Sequence, residues 1–133
     1  MTTIANARIG RDHYKVTINA GKNVLIADEG ENNGGKDEGF NPHQLLLASL
    51  GACTCATLRM YADRKQLNLE EVNVNLSLNA DEGKNSTTII RQIELIGNLT
   101  PTERARLLEI ADKCPIHKIL SNPINITTSE TEP

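Results

Sequence analysis

Aromatic side chains are nearly absent from this chain. Its 133 residues include no tryptophan, one phenylalanine (Phe40) and two tyrosines (Tyr14 and Tyr61). A core must therefore be built from Leu, Ile, Val and Ala. A chain of this length buries about two thirds of its unfolded surface, which is enough for a single domain over residues 1–133 with its own core.

Cysteine is also scarce, and three cysteines are an odd number that cannot all pair within one chain. This count argues against a closed disulfide framework. Residues 1–10 show no positively charged segment followed by an apolar stretch, so no secretory signal is expected. We therefore expect a cytoplasmic protein, in whose reducing surroundings separated cysteines serve as buried residues, metal ligands or catalytic thiols.

Several other features are missing as well. No run of about 18 apolar residues is present, so no membrane span is predicted. The formal net charge is −3, and the basic residues are interleaved with acidic ones, which argues against a nucleic-acid partner. There is no glycine-rich phosphate loop and no nucleophile elbow. We expect no cofactor.

Hydrophobic patterning predicts an α+β fold. Its first elements are antiparallel strands, one within Met1–Ile9, one at Tyr14–Ile18 and its hairpin partner at Val24–Ala27. A loop rich in Gly, Asn, Asp and Glu follows at Asp28–Gly39. A long helix is predicted at Pro42–Lys65, with Asn41 as the N-cap and proline as the first helical residue.

The second half of the chain continues with two strands and a pair of helices. The strands are predicted at Val72–Leu78 and Thr87–Ile96 by alternation. A capping-box pattern at Thr100–Glu103 starts a helix that continues to about Lys113. Pro115 interrupts it, because proline disfavours helical geometry in the preceding residue, and a short helix restarts there. A final strand is predicted at Ile124–Thr127.

The long helix is apolar on nearly every face over its first two thirds. The residues concerned are Leu45, Leu46, Leu47, Ala48, Leu50, Ala52, Ala56 and Leu58. A helix of this kind is usually buried on all sides, yet one small monomer can rarely surround a helix completely. We therefore expect a second subunit to supply the missing cover.

Cys53 lies in the middle of this helix. Cys55 is about 200° further around the helix axis, so the two cannot face one site, and one of them is expected to be a core residue. The face of Cys53 carries Leu46, Ser49, Leu50, Thr57 and Met60. An apolar pocket with one thiol suits an apolar peroxide better than hydrogen peroxide. The alternative interpretation is that Cys53 only fills the core.

Cys114 precedes Pro115 and therefore lies at a helix N-terminus. Unpaired N–H groups and the helix dipole stabilise a thiolate there. The alternative is a half-buried cysteine that only caps the helix. Cys114 and His117 also have a plausible spacing for metal ligands, to which His43 and Cys53 could be added, although structural zinc usually uses two tight pairs.

Two segments resemble one family. Asn41-Pro42-His43-Gln44-Leu45, followed by Leu47-Ala48-Ser49-Leu50-Gly51-Ala52-Cys53-Thr54, resembles the central helix of the OsmC/Ohr proteins, which carries the reactive cysteine after a stretch of small residues. Ala111-Asp112-Lys113-Cys114-Pro115-Ile116-His117 resembles the second cysteine motif of that family. The segment Asp28–Pro42 resembles a subgroup of it, so the resemblance covers nearly the whole chain.

The resemblance implies an α+β homodimer whose chains interlock and share a core around the central helices. It also implies that Cys53 and Cys114 are the catalytic residues. The Cys53 thiolate would attack a hydroperoxide and become a sulfenic acid, Cys114 would condense with it to a disulfide, and a dithiol reductant would reset the site. This chemistry requires the Cys114 turn to pack over the Cys53 face of the helix.

The sequence departs from the family pattern at His43. In the best-studied branches a Glu directly after the Pro works with an Arg from the N-terminal region to activate the reactive cysteine. Here His43 takes the place of that Glu, and Arg8 or Arg11 is the candidate for the Arg. Our leading hypothesis is a dimeric reductase of organic hydroperoxides. The alternatives are a non-enzymatic protein of this fold that binds a small apolar or electrophilic ligand, and a zinc-stabilised domain.

Overall fold

The computed structural model describes residues 2–131, apart from the side chain of Glu82, as an α+β protein. The chain divides into an N-terminal unit that ends at Ala48 and a C-terminal unit that begins at Ser49. One continuous helix, α1 (Pro42–Lys65), runs through this boundary. The predicted α+β class is confirmed, and so is the order of strands, long helix, two strands and two helices.

Three short antiparallel strands open the N-terminal unit. They are β1 (Asn6–Arg8), β2 (Val16–Ala20) and β3 (Asn23–Ala27), and they form one sheet in that order. β2 and β3 make the predicted hairpin, in which Val16 lies opposite Ala27. The turn between them contains Gly21 with a φ of 61°, a conformation that glycine adopts without strain.

Asp28 organises the loop between β3 and α1. Its side chain is almost fully buried, and its carboxylate accepts four backbone N–H groups at 2.8–3.3 Å. The donors are Tyr14, Glu29, Lys36 and Glu38. The predicted loop at Asp28–Gly39 is confirmed, and it contains a short 3₁₀ turn at Glu31–Asn33.

α1 begins and ends at the residues that the sequence predicts. The Gln44 N–H donates to Asn41 Oδ1 at 2.8 Å, and the Asn41 N–H donates to Gln44 Oε1 at 2.9 Å. This reciprocal pair satisfies two donors at the helix start. Pro42 fits the first helical position because an N–H there would have no partner within the helix.

One chain covers only part of α1, as expected for this apolar helix. Its buried side chains lie along one stripe and are Leu50, Thr54, Leu58, Tyr61 and Ala62. Leu46 and Met60 point elsewhere and are 40% and 67% exposed. Cover of these side chains by a second subunit stays a prediction.

A long antiparallel hairpin and two helices form the rest of the C-terminal unit. The hairpin strands are β4 (Glu71–Asp81) and β5 (Ser86–Ile96). The helices are α2 (Pro101–Ala111) and α3 (Pro115–Leu120). The predicted capping box at Thr100 is present, since Thr100 and Glu103 each accept the backbone N–H of the other.

The core of this unit lies where α1, the hairpin and α2 meet. Its buried members are Leu58, Tyr61, Ala62, Leu69, Leu99, Leu107, Ile110 and Ala111, and Leu67, Val72, Ile93 and Leu95 pack against them. Tyr61 is the one aromatic residue among these side chains. The expectation of a core built mainly from Leu, Ile, Val and Ala is confirmed.

The final strand predicted at Ile124–Thr127 is wrong for the single chain, because residues 123–130 form no strand. The alternation of isoleucine with polar residues favours an extended backbone, but a strand also needs a neighbouring edge whose N–H and C=O groups it can pair with. Ile124 and Ile126 are both exposed, so neither pairing nor packing holds this segment.

α1 is the one helix within residues 2–131 that is long and apolar enough to cross a membrane by length and composition alone. Its contacts show that it instead forms part of the core of the C-terminal unit. Leu58 and Tyr61 belong to a cluster shared with Leu107 and Ile110 of α2. A helix that forms the core of a folded unit passes the same test of length and composition.

Candidate active site

The structure brings Cys53 and Cys114 together, although they are far apart in the sequence. The two side chains lie close enough for each to shift the pKa of the other, and both residues are free thiols. The hydroxyl of Thr57, one turn further along α1, lies 4.0 Å from the Cys53 sulfur. The expected packing of the Cys114 turn over the Cys53 face of the helix is confirmed.

Cys114 is the N-cap of α3. Its sulfur accepts the backbone N–H of His117 at 3.5 Å, as the Cys-Pro sequence at a helix start predicts. Cys114 is fully buried, whereas Cys53 is only partly buried. Cys53 is therefore the more accessible sulfur of the pair.

The two sulfurs differ in the hydrogen bonds that they receive. Burial raises the pKa of Cys114, but its polar neighbours outweigh burial and hold its pKa below the usual value of a thiol. The neighbouring Cys53 contributes most, followed by the backbone N–H groups of His117 and Ile116. Burial also raises the pKa of Cys53, and the neighbouring Cys114 raises it further. The two thiols therefore ionise as a coupled pair, in which the surroundings of Cys114 favour the charged form more than those of Cys53 do.

Arg91 of β5 lies beside this pair, with its side chain 11% exposed. Nη1 donates to Thr54 Oγ1 at 3.1 Å and to the Ala111 carbonyl at 3.3 Å. Nη2 donates to Asp112 Oδ1 at 2.8 Å and to His117 Nδ1 at 3.1 Å. Because a guanidinium has only donors, His117 Nδ1 accepts, which places the ring proton on Nε2. Arg91 thus links α1, the end of α2 and the start of α3.

Sequence motifs did not identify Arg91 or Thr54 as residues of the site. The alternation of apolar and polar residues along β5 could have identified Arg91. The half-buried positions of this strand are Ile89, Arg91, Ile93 and Leu95. A charged residue in register with apolar ones is rarely buried without specific partners. Thr54 gives no such signal, because a threonine next to a cysteine in an apolar helix is an ordinary core residue.

The residues at the positions that the family resemblance suggests for activation belong to the N-terminal unit. His43 is exposed in the first turn of α1. Arg8 lies in β1 and Arg11 in the segment that follows it, and both are exposed. Within the C-terminal unit, Arg91 is the cation that contacts the surroundings of the cysteine pair.

A cavity of about 250 Å³ opens beside Arg91 and His117. It is lined by Leu50, Thr87, Ile89, Arg91, His117, Leu120 and Ser121. Aliphatic walls with a few polar groups are typical of sites for small organic molecules. The cavity therefore suits a compact ligand with one apolar part.

Within the described residues, no group of three or more His, Cys, Asp or Glu side chains is arranged to hold a metal ion. Cys114 and His117 are neighbours, but His117 Nδ1 is occupied by Arg91. This arrangement does not support the alternative of a zinc-stabilised domain.

Residues 35–129 match a family model described as OsmC-like protein. The chain belongs to the OsmC family. The predicted membership of the OsmC/Ohr family is thereby confirmed. A comparison with curated protein sequences finds no match.

Solved structures share the fold of this OsmC-family protein. An OsmC-like protein from Mycoplasma pneumoniae superposes with a TM-score of 0.79 at 20% identity, over 91% of this chain and 88% of that chain. The organic hydroperoxide resistance protein OsmC from Legionella pneumophila gives 0.67 at 28% identity, over 90% and 89%. The organic hydroperoxide resistance protein OhrB of Bacillus subtilis gives 0.61 at 25% identity, over 90% of each chain.

Proposed function

We propose that this OsmC-family protein is a cysteine-dependent reductase of organic hydroperoxides that works in the cytoplasm with a dithiol reductant. The observation that carries the proposal is the closeness of the Cys53 and Cys114 side chains, because disulfide chemistry requires the two sulfurs to meet. The relatives from Legionella and Bacillus that are named organic hydroperoxide resistance proteins support a peroxide-related role.

The first step is a two-electron oxidation of Cys53, the more accessible sulfur. Cys53 passes its proton to the Cys114 thiolate and attacks the outer oxygen of the hydroperoxide. The O–O bond breaks and an S–O bond forms, which leaves Cys53 as a sulfenic acid. The alkoxide that is released takes the proton from Cys114 and departs as the alcohol.

The second step forms the disulfide. The Cys114 thiolate attacks the Cys53 sulfur, the S–O bond breaks, and hydroxide leaves. A dithiol reductant then restores both thiols by exchange and is itself oxidised to a disulfide. The two electrons that reduce each peroxide thus come from the cysteine pair and ultimately from this reductant.

The cavity beside Arg91 supports a preference for organic peroxides over hydrogen peroxide, although neither cysteine is among its lining residues. It includes Leu50 and His117, each three residues from one of the cysteines, and its aliphatic wall of Leu50, Ile89 and Leu120 suits an organic group. The same cavity favours a second candidate function, the non-enzymatic binding of a small apolar or electrophilic ligand. Turnover distinguishes the two functions, since a binding protein consumes no peroxide.

The test is oxidation of the reduced protein by one equivalent of cumene hydroperoxide. We expect one disulfide per chain, and peptide mapping should place it between Cys53 and Cys114. Cys114→Ser should instead leave a sulfenic acid on Cys53 that dimedone traps, because the condensing thiol is gone. Hydrogen peroxide at the same concentration should react more slowly.

Thiols that stay reduced under this treatment, or a disulfide that includes Cys55, would contradict the proposal. If the thiols stay reduced, His43 is the next residue to test, because it stands where related proteins have a glutamate. His43→Glu is then the next variant, and a gain of peroxide consumption would assign the lost activity to that position.

A further inference from the structure

The guanidinium of Arg91 contacts the chain segments that carry the two cysteines of the candidate site. Nη1 donates to the hydroxyl of Thr54, the residue after Cys53 in α1, and to the Ala111 carbonyl at the end of α2. These two hydrogen bonds are 3.1 and 3.3 Å long. A single nitrogen thus joins the helix of Cys53 to the segment that leads into Cys114.

The second terminal nitrogen, Nη2, contacts residues on either side of Cys114. It donates to Asp112 Oδ1 at 2.8 Å and to His117 Nδ1 at 3.1 Å. The backbone N–H of His117 in turn donates to the Cys114 sulfur at 3.5 Å. Arg91 therefore binds both ends of the turn in which Cys114 caps α3.

The contact that Arg91 makes on α1 is itself held in place. Thr54 is fully buried, and its hydroxyl donates to the Leu50 carbonyl at 2.7 Å, so the same oxygen accepts from Arg91. The Arg91 side chain is only 11% exposed. A displacement of the turn away from α1 would leave buried polar groups without partners, which is costly. These hydrogen bonds therefore oppose such a displacement.

We propose that Arg91 is a positioning residue for disulfide formation, which holds the turn that carries Cys114 beside the Cys53 face of α1. Arg91 would then act in the second step of the proposed function, on which its catalytic consequence rests. A disulfide tolerates only a narrow geometry, with Cα atoms about 4.4 to 6.8 Å apart. A side chain that limits the relative motion of two segments raises the effective concentration of one thiol at the other.

The redox equilibrium of the cysteine pair measures this effective concentration without peroxide. Reduced protein is equilibrated with mixtures of reduced and oxidised glutathione. Each protein disulfide that forms passes two electrons to one oxidised glutathione, which leaves as two reduced glutathiones. The Cys55→Ala background leaves only Cys53 and Cys114 to pair. A residue that only stabilised the fold would not change this equilibrium in folded protein.

We expect Arg91→Met to lower the effective concentration by about tenfold or more, because small misplacements of reacting groups cause losses of this size. Thr54→Val keeps the shape of the side chain and removes the acceptor for Nη1, so it should lower the value as well. Thr54→Ser keeps the hydroxyl and should keep the wild-type value. Because Arg91 and Thr54 share one hydrogen bond, the losses in the double variant should be less than additive.

The fate of the oxidised Cys53 gives a second measurement of the same role. In excess cumene hydroperoxide, the sulfenic acid on Cys53 either condenses with Cys114 or is oxidised further to a sulfinic acid. If Arg91 holds the two segments together, Arg91→Met should raise the ratio of sulfinic acid to disulfide, as measured by mass spectrometry. An unchanged ratio would count against the inference.

Arg104→Met is the matched control for the loss of an arginine from the interior of the same unit. Arg104 donates to the carbonyls of Leu95 and Gly97 at 2.8 and 3.0 Å, so its loss should lower the melting temperature and leave the effective concentration unchanged. An effective concentration that is unchanged or raised in folded Arg91→Met, or in Thr54→Val if the arginine variant does not fold, would overturn the inference.

Two further results would overturn it. An equal loss in Arg104→Met would show that lower stability alone weakens the disulfide. Losses that add in full in the double variant would show that Arg91 and Thr54 act separately.

The two proposals fail separately. A protein whose Cys53–Cys114 equilibrium depends on Arg91 but that consumes no hydroperoxide would contradict the proposed function and keep the role of Arg91. A protein that reduces hydroperoxide with the same effective concentration in wild type and Arg91→Met would do the reverse.

Discussion

At the scale of single residues, position on α1 decides the chemistry of each cysteine. The Cys55 sulfur lies 4.0 Å from the Val72 carbonyl of β4, whereas the Cys53 side chain lies close to Cys114. We expect Cys55→Ala to leave peroxide consumption unchanged, because its side chain faces the hairpin. It should lower the free energy of unfolding by about 1 kcal/mol, the typical cost of a substitution at a packed position. Initial rates and urea denaturation of the same preparation measure both effects.

Cys53→Ala is the control for this prediction, and it should abolish turnover. If Cys55→Ala removed the activity while Cys53→Ala kept it, the reactive cysteine would be wrongly assigned.

At the scale of elements, the loop between β3 and α1 depends on one ionised carboxylate. Burial raises the pKa of Asp28, but the backbone N–H groups of Glu38, Tyr14, Glu29 and Lys36 outweigh burial and hold its pKa below the usual value. A carboxyl of this kind stabilises the fold fully above its unfolded pKa of about 3.9, and this contribution is lost as the pH falls through the lower, folded pKa. We expect the loop to open in that acidic range, as measured by NMR of the four amides.

Asp28→Asn should remove this pH dependence and loosen the loop at neutral pH as well, since an amide cannot accept four N–H groups in the same way. Asp37→Asn, a change to an exposed carboxyl of the same loop, serves as the matched control. Equal pH profiles for Asp28→Asn and the wild type would refute the role of Asp28.

At the scale of the whole molecule, the apolar surface left open by one chain predicts an obligate dimer. The exposed side chains include Leu46, Met60, Ile90, Ile119 and Ile126. Burying apolar surface is the dominant favourable term in most protein association. Sedimentation over a wide range of concentrations should therefore show a dimer throughout. A stable, folded monomer at micromolar concentration would count against the interlocked architecture.

Local signals in the sequence determined most of the elements. The start of α1 follows from Asn41 and Pro42, and the start of α2 follows from the capping box at Thr100. The break at Cys114 follows from the proline after it. Each of these signals acts within about one helical turn, so the sequence shows it without reference to the rest of the fold. Alternation predicts the β4–β5 hairpin for the same reason.

Only the tertiary structure decided which distant side chains meet. Thr54 and Arg91 are 37 residues apart in the sequence, and Arg91 and Asp112 are 21 apart. The charge at an apolar position of β5 marks Arg91 as unusual, but its partners depend on how α1, α2 and α3 pack against that strand. The segment at Ile124–Thr127 alternates like a strand and yet forms none, because pairing requires an edge that a sequence pattern cannot supply.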